Sequence, residues 1–301
     1  MPLSGFDDLY RAADAAATRI PVVAVGGADR TVLEALRLAS DRGWIHPLIS
    51  GQESQVRAVA DACQISLESF TVLDSDEPAQ AAVAAVRSGH ARILMKGQIA
   101  TPDLMRAVLD PAAGLRTERV ICQTPLVEFR ASHRRLLLAD TGVCIAPTLE
   151  QKINILRSAV QLAHALGADQ PRVALLSATE KVTESMPDTL DAAEIAHRNR
   201  SGEIAGCQVQ GPLSFDLAYA AEAGDAKHVT GPVVGRADVL IFPNLLAANL
   251  TVKAMMYTAD CRFGGVLCGA ACPIAFMSRA DDTATRLNSL ALALRLAAAG
   301  D

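Results

Sequence analysis

The feature that most constrains this chain is an alternation in its first hundred residues, where short β-branched runs are separated by longer Ala- and Leu-rich stretches. Ile20 to Val25, Trp44 to Ile49, Phe70 to Leu73 and Arg92 to Met95 read as strands, with helices over 30–42, 53–63 and 77–88 between them. Strands joined through whole helices return in the same direction and pair as parallel neighbours. The alternation therefore predicts a parallel, doubly wound sheet. Composition agrees: 50% of residues are hydrophobic but only 4% aromatic, so the core must be packed from Ala, Leu, Val and Ile, as in helix-covered parallel sheets.

The pattern changes past about residue 128. Arg134 to Ala139 reads as a strand and Gly142 to Pro147 as a loop. A long helix follows, with Thr148 and Gln151 forming a capping box and Leu149, Ile153, Leu156, Val160 and Ala163 making one apolar stripe that ends at Gly167. Further strands are expected at Val173 to Leu176, Val239 to Phe242 and Gly265 to Leu267. A length of 301 residues suits two domains of about 150 residues each. No internal repeat or Gly/Ser linker marks a sharp boundary between them.

Charge and chemistry remove several classes. With 28 Lys and Arg against 33 Asp and Glu, and no basic block, an electrostatic footprint for nucleic acid or a membrane surface is not expected. Seven Cys include no CxxC pair and no Cys/His set at zinc spacing, and the six His stand apart, so no metal is expected. Reduced thiols, the absence of a basic-then-apolar leader near Pro2, Asp7 and Asp8, and the absence of a run of about 20 apolar residues point to the cytoplasm. There is no P-loop, GxSxG elbow or HExxH, and Val25 to Arg30 is not GxGxxG.

Four stretches could carry chemistry. Arg92 to Asp103 reads as a strand, a turn at Gly97, then Thr101 and Pro102 at N-cap and N1 positions, where helix N–H groups and the Lys96 ammonium could receive an anion; an ordinary strand-to-helix connection explains it equally well. Pro273 to Asp282 reads as a strand running into a helix, with Ser278 as a donor and Arg279 able to grip phosphate with two N–H groups, or with Ser278 simply a cap. Gly211 to Asp216 offers Asp216 as a base or as a surface carboxylate. Phe242 to Lys253 puts Asn249 and Lys253 four apart on one helix face, with Met255, Met256 and Tyr257 expected in the core.

The order of Leu94-Met-Lys-Gly97 with Thr101, Ala139 to Pro147 with Leu149 to Lys152, Gly211-Pro-Leu213 with Asp216, Ala237 to Leu240 with Pro243, Asn249 with Lys253, and Ser278 to Asp281 with Leu287-Asn288 resembles the phosphate acetyl/butyryltransferase family, and within it the butyryl branch. The resemblance runs from about residue 20 to 297. It implies two α/β domains with mainly parallel sheets, of the isocitrate/isopropylmalate dehydrogenase-like kind, and an active-site cleft between them. The last helix would return to the first domain, giving a discontinuous domain of residues 1–128 and 263–301 and a second of 129–262. It also implies a homodimer or larger homo-oligomer, coenzyme A or acyl-coenzyme A with phosphate or acyl phosphate as substrates, and no tightly bound cofactor.

The resemblance implies that Ser278 and Arg279 line the site, with Arg279 holding the phosphate or acyl phosphate; with the stretches read above, Ser278, Arg279, Asp281 and Asp216 are the catalytic candidates and Lys96, Gly97, Thr101 and Asn249 the substrate-binding ones. The chain departs from the family pattern at Cys144, Asn244 and Ala248, where Asn, Asp and Gly are usual. It also has Thr285 where the acetyl branch carries an acid. Asp281, Thr285 and Asn288, at i, i+4 and i+7, would share one polar helix face, making Asp281 the substitute base. The expected reaction is direct attack of the coenzyme A thiolate on an acyl phosphate, with Asp281 or Asp216 as base, Ser278 toward the carbonyl oxygen and Arg279 with Lys96 on the departing phosphate. An acyl carrier at Cys268 or Cys272 is disfavoured by their apolar surroundings. The alternatives are a metal-dependent NAD(P) dehydrogenase of related fold and a catalytically idle acyl-coenzyme A binding protein.

Overall fold

The computed structural model of the chain describes residues 2–299. The chain begins α1 (Phe6–Asp14), β1 (Ile20–Val25), α2 (Arg30–Asp41), β2 (Ile45–Gly51), α3 (Glu53–Ala62), β3 (Thr71–Asp74), α4 (Pro78–Arg87), β4 (Ile93–Lys96) and α5 (Thr101–Val108). It continues β5 (Cys122–Phe129), β6 (Arg135–Ala139), α6 (Leu149–Ala165), β7 (Arg172–Leu176), α7 (Pro187–Arg200), β8 (Gln208–Leu213), α8 (Phe215–Tyr219) and α9 (Ala221–Lys227). The last elements are β9 (Val239–Ile241), α10 (Leu245–Thr258), β10 (Cys261–Cys268), β11 (Ile274–Ala275) and α11 (Thr283–Ala298). Contacts divide these into an outer unit, Phe6–Ile121 with the residues from Phe263 on, and a middle unit, Cys122–Arg262 with the residues up to Gly5.

In the outer unit the strand order is β3-β2-β1-β4-β11-β10, parallel throughout except for the antiparallel β11–β10 pair. The four strands and three helices expected in the first hundred residues are all present. Val22 to Val25 and Ile93 to Met95 are fully buried, because helices cover both faces of the central strands and leave no solvated side that would demand alternation. Strand order reverses between β1 and β4, the place where open α/β sheets leave a crevice at the carboxyl ends of their strands. There Gly97 N–H donates to the Val25 carbonyl at 2.9 Å and Gln98 N–H to the Gly26 carbonyl at 2.9 Å, extending the pairing beyond the strands. A Cβ on Gly97 would stand 2.5 Å from the Val25 oxygen, so only glycine permits the approach.

The last helix packs on α1 and α2 and lies against β10 so closely that a Cβ on Gly264 would meet the Asn288 backbone at 2.9 Å. Asn288 is buried, accepting from the Tyr10 hydroxyl at 2.6 Å and donating to the Phe263 carbonyl at 3.1 Å. It therefore fastens α1, β10 and α11 together and is not part of a polar face shared with Asp281 and Thr285.

In the middle unit the order is β5-β6-β9-β7-β8, with β5–β6 antiparallel and the rest parallel. The sheets are thus mixed, mostly parallel. Helix α6 carries the expected capping box between Thr148 and Gln151. At the starts of β7 and β9, Arg172 and Asp238 form a two-pronged pair, both bonds 2.8 Å, and Asp238 also accepts the Arg172 N–H at 2.9 Å.

Four local expectations are corrected. Helix α5 takes Ala100 as its N-cap, so Thr101 and Pro102 stand one position further in, with no side-chain cap; Pro102 lacks an N–H that the first turn leaves unpaired in either frame. Helix α11 starts at Thr283 with Asp282 as N-cap, its carboxylate accepting the Thr285 N–H at 2.8 Å, so neither Ser278 nor Asp281 belongs to the helix. Ser278, Asp281 and Asp282 are all residues that can cap a helix, and the one adjoining the buried apolar stripe prevails. The strand before it shrinks to Ile274 and Ala275. Tyr257 is 78% exposed rather than in the core, because α10 buries only the Ala248–Val252 line and Tyr257 falls off it.

Asp140, 4% exposed, accepts the backbone N–H groups of Gln123, Gly142, Val143 and Cys144 and so sets the loop after β6. Replacing it leaves those donors without a partner, a cost of about 1–3 kcal/mol per buried group. Asp140→Ala is expected to lower unfolding free energy by about 3 kcal/mol in urea titration, and Asp140→Asn by less, since an amide keeps one accepting oxygen. Equal losses in the two variants would show that packing volume, not acceptance, matters there.

Candidate active site

Three connections of the outer unit converge at the switch point: the β1–α2 turn, the β4–α5 turn and the loop from β11 to α11. Side-chain hydrogen bonds tie them. Asp29 caps α2, accepting the Val32 N–H at 3.1 Å and the Thr31 hydroxyl at 2.6 Å. Gln98 donates through one amide nitrogen to Asp29 and to the Arg279 carbonyl, each at 3.2 Å. Arg286 Nε donates to Thr31 Oγ1 at 2.7 Å, and Thr283 donates to Glu34 at 2.7 Å. In the loop itself, Asp281 accepts the Ser278 N–H at 2.8 Å, and Ser278 Oγ accepts the Ala280 N–H at 3.3 Å, leaving its own proton to donate elsewhere.

Under this network lie two cations. Lys96, the last residue of β4, is 1% exposed, and Arg286, in the first turns of α11, is fully buried. The Lys96 ammonium has one long hydrogen bond, 3.4 Å to the Gly97 carbonyl, and stands 5.9 Å from the Phe276 ring centre. Arg286 Nη1 reaches the Lys96 carbonyl at 3.4 Å, while Nη2 is buried with no hydrogen-bond partner. A buried guanidinium N–H left unpaired is costly and rare in a settled core.

Burial, then the fields of Arg286 and Arg279, push Lys96 down to about 8, with Asp281 opposing. Burial likewise lowers Arg286 against the pull of Asp29, Asp281 and Asp282. For Asp29, burial works against the charge, but the Thr31 and Val32 hydrogen bonds and Arg286 carry its carboxyl below the usual range.

The outer unit therefore brings together Lys96, Gly97, Ser278, Arg279 and Asp281. Arg279 is exposed; Gly97 has a structural reason of its own; Thr101 opens α5 nearby in sequence without a cap bond. Asp216 and Asn249 lie in the middle unit. Asp216 is paired with Lys227 at 2.7 Å, and this bond, together with the Ser214 hydroxyl, holds it down to about 2, which makes it a weak base. Asn249 is exposed on α10, one turn from Lys253. Burial pushes Cys272 up to about 12, consistent with an inert thiol. Among the described residues no group of three or more His, Cys, Asp or Glu could hold a metal ion, and no helix is long and apolar enough to cross a membrane.

Sequence reading missed Arg286. The signal was present: Arg286 and Leu290, four apart, with Ala293 and Ala297 beyond, form the buried stripe of α11, and a cation in such a stripe needs a reason. Beside the site, a crevice of about 290 Å³ opens over the ends of β1 to β3, lined by Gly26, Gly27, Gly51, Gln52, Asp76 and Gln98 among others.

Comparison with known proteins gives a consistent picture. Residues 75–294 match the family described as phosphate acetyl/butaryl transferase. A phosphate butyryltransferase from Clostridium beijerinckii is 36% identical over 296 residues, 97% of this chain and 98% of that protein. Among solved structures, a branched-chain phosphotransacylase from Enterococcus faecalis superposes with a TM-score of 0.81 at 30% identity, covering 92% of this chain and 99% of the other. A 4-hydroxythreonine-4-phosphate dehydrogenase from Salmonella typhimurium shares the fold, with a TM-score of 0.57 at 11% identity over 93% and 100% of the two chains.

The buried ammonium has a stability signature. Its folded value lies below the unfolded 10.5, so the native state bears its cost in full below about pH 8 and sheds it as pH climbs toward 10.5. Lys96→Met is expected to be more stable than the parent at pH 7 by about 1–3 kcal/mol, the gap closing between pH 8 and 10. A gap independent of pH, or a variant less stable at pH 7, would contradict this.

Proposed function

The chain belongs to the phosphate acetyl/butyryl transferase family and is a phosphate acyltransferase, and from that premise we propose that it moves a short acyl group reversibly between coenzyme A and inorganic phosphate by direct thiolate attack on an acyl phosphate. The observation that carries this reading is the pair of buried cations at the switch point, with the Arg286 Nη2 unpaired. A phosphoryl group brings both the negative charge and the accepting oxygens that such a pair lacks.

Arg279 on the β11–α11 loop adds a planar fork that can hold two phosphoryl oxygens at once. Its loop is set by the Asp281 bond to Ser278 N–H and by the Gln98 bond to the Arg279 carbonyl, so the fork is presented by a positioned backbone. The Ser278 hydroxyl, its oxygen accepting from Ala280, retains a proton to direct at the carbonyl oxygen of the acyl group, where charge grows in the transition state. A donor of that kind is worth about 3 kcal/mol in other acyl-transfer enzymes. Coenzyme A enters as a substrate.

Self-association and a cytoplasmic location belong to the same reading. Leu246, Leu250 and Tyr257 stand 70%, 63% and 78% exposed along α10, a run of apolar surface that a second copy would cover.

The test is phosphate-dependent thiol release from acyl-coenzyme A esters of two to six carbons, in EDTA. Turnover of at least one ester is expected; binding without turnover would favour the idle binding protein, and nicotinamide reduction the dehydrogenase. Within that assay, Arg279→Lys keeps charge but loses the fork, and should raise the Michaelis constant for phosphate at least tenfold while moving that for acyl-coenzyme A little. Arg279→Ala should do the same and also lower turnover. If Arg279 only anchored the loop, both variants would lose melting temperature with unchanged kinetics in the folded fraction.

A further inference from the structure

Resting on that reading, we infer that Lys96 is the proton carrier of the reaction, taking the proton from the coenzyme A thiol as a neutral amine and returning it, as an ammonium, to the departing phosphate.

The reaction requires such a carrier. When the sulfur attacks the acyl carbon, the S–H bond breaks and its electrons become the new S–C bond. When the C–O bond to phosphorus breaks, its electrons stay on the phosphate oxygen, which must gain a proton to leave as hydrogen phosphate. One proton thus passes from sulfur to oxygen, with no net uptake or release. A group that is a base in the first half and an acid in the second completes the cycle unchanged, and the same steps run backward for phosphorolysis.

Carboxylates near the cationic pair are poorly placed for this. Asp29 accepts from Thr31 and Val32, Asp281 from the Ser278 N–H, and Asp282 from the Thr285 N–H. Each already accepts from a donor of its own turn, and for Asp29 those bonds, with Arg286, hold the carboxyl below the usual range, which weakens it as a base. Asp216 is ion-paired to Lys227.

Lys96 differs in every respect. It is 1% exposed, its nitrogen makes only the 3.4 Å bond to Gly97, and no carboxylate forms an ion pair with it among the described residues. The charged groups acting on it are Arg286 from α11, and Arg279 and Asp281 from the β11–α11 loop, two positive against one negative. Its neighbours β1 and β11 contain no ionisable residue, and the one on α4, Arg87, donates to the Gly114 carbonyl at the helix end. These surroundings disfavour the ammonium and bring its titration to about 8, close to that of an alkyl thiol, where a shuttle works best in both directions. Arg286 cannot take the role, because a guanidinium does not give up its proton in this range.

The experiment compares the wild type with Lys96→Arg and Lys96→Ala in both directions between pH 6 and 10, with melting temperatures on the same preparations. Lys96→Arg keeps a positive charge that cannot titrate. It should lose at least 100-fold in turnover with the Michaelis constant for phosphate within threefold, and lose the rise with pH that the wild type shows in the thioester-forming direction. Lys96→Ala should regain turnover with added small alkylamines, in the order of their basicity, a response that a residue holding only structure or charge does not give. Lys96→Arg turning over within fivefold of the wild type, or folded Lys96→Ala indifferent to amines, would overturn the assignment. A wild type inactive on every ester defeats the acyl-transfer reading itself, which separates the two failures.

Discussion

Everything at the switch point depends on two like charges buried together. Lys96 and Arg286 sit in the outer unit with no carboxylate hydrogen-bonded to either among the described residues, and Arg286 reaches the Lys96 carbonyl at 3.4 Å. Removing two cations from water costs several kcal/mol each, and their mutual repulsion adds to it. A fold bears such a cost where binding an anion offsets it, which makes the pair a statement about a ligand as much as about stability.

The scaffold explains how the cost is borne. The β1 and β4 backbones meet at Gly26 and Gly97, closing the sheet under Lys96 and denying its ammonium water. Above it, the chain of bonds from Arg286 to Thr31, Asp29, Gln98 and the Arg279 carbonyl holds three separate connections in one arrangement. Gln98 is the hinge of that chain, since one amide nitrogen serves both the β1–α2 turn and the Arg279 loop. The loop that presents Ser278 and Arg279 is consequently set by residues nearly two hundred positions away in sequence.

Much of this was legible in the sequence. The βαβ alternation gave the outer unit's strands because central parallel strands, buried on both faces, must be continuous apolar runs. The motif order gave the family. The start of α11 was less legible: Ser278, Asp281 and Asp282 are all competent caps, and only the buried stripe beginning after Asp282 decides among them. Arg286 escaped because on a linear sequence it looks like a solvated charge, and its burial follows from how α11 packs on α1 and α2. The linear sequence did not show the tertiary partners of Asp216 and Asn288, Lys227 for one and Tyr10 with Phe263 for the other. Residue type and spacing do not encode such pairings.

The most direct measurement is the melting temperature of the whole protein as inorganic phosphate replaces chloride at constant ionic strength and pH 7. A ligand that binds only the folded chain stabilises it by an amount that grows with the logarithm of its concentration above Kd. Because no carboxylate among the described residues hydrogen-bonds to either buried cation and Arg286 Nη2 is unpaired, phosphate should raise the melting temperature of the parent progressively and that of Arg286→Met little. A parent indifferent to phosphate, or an Arg286→Met variant protected as strongly as the parent, would contradict the account.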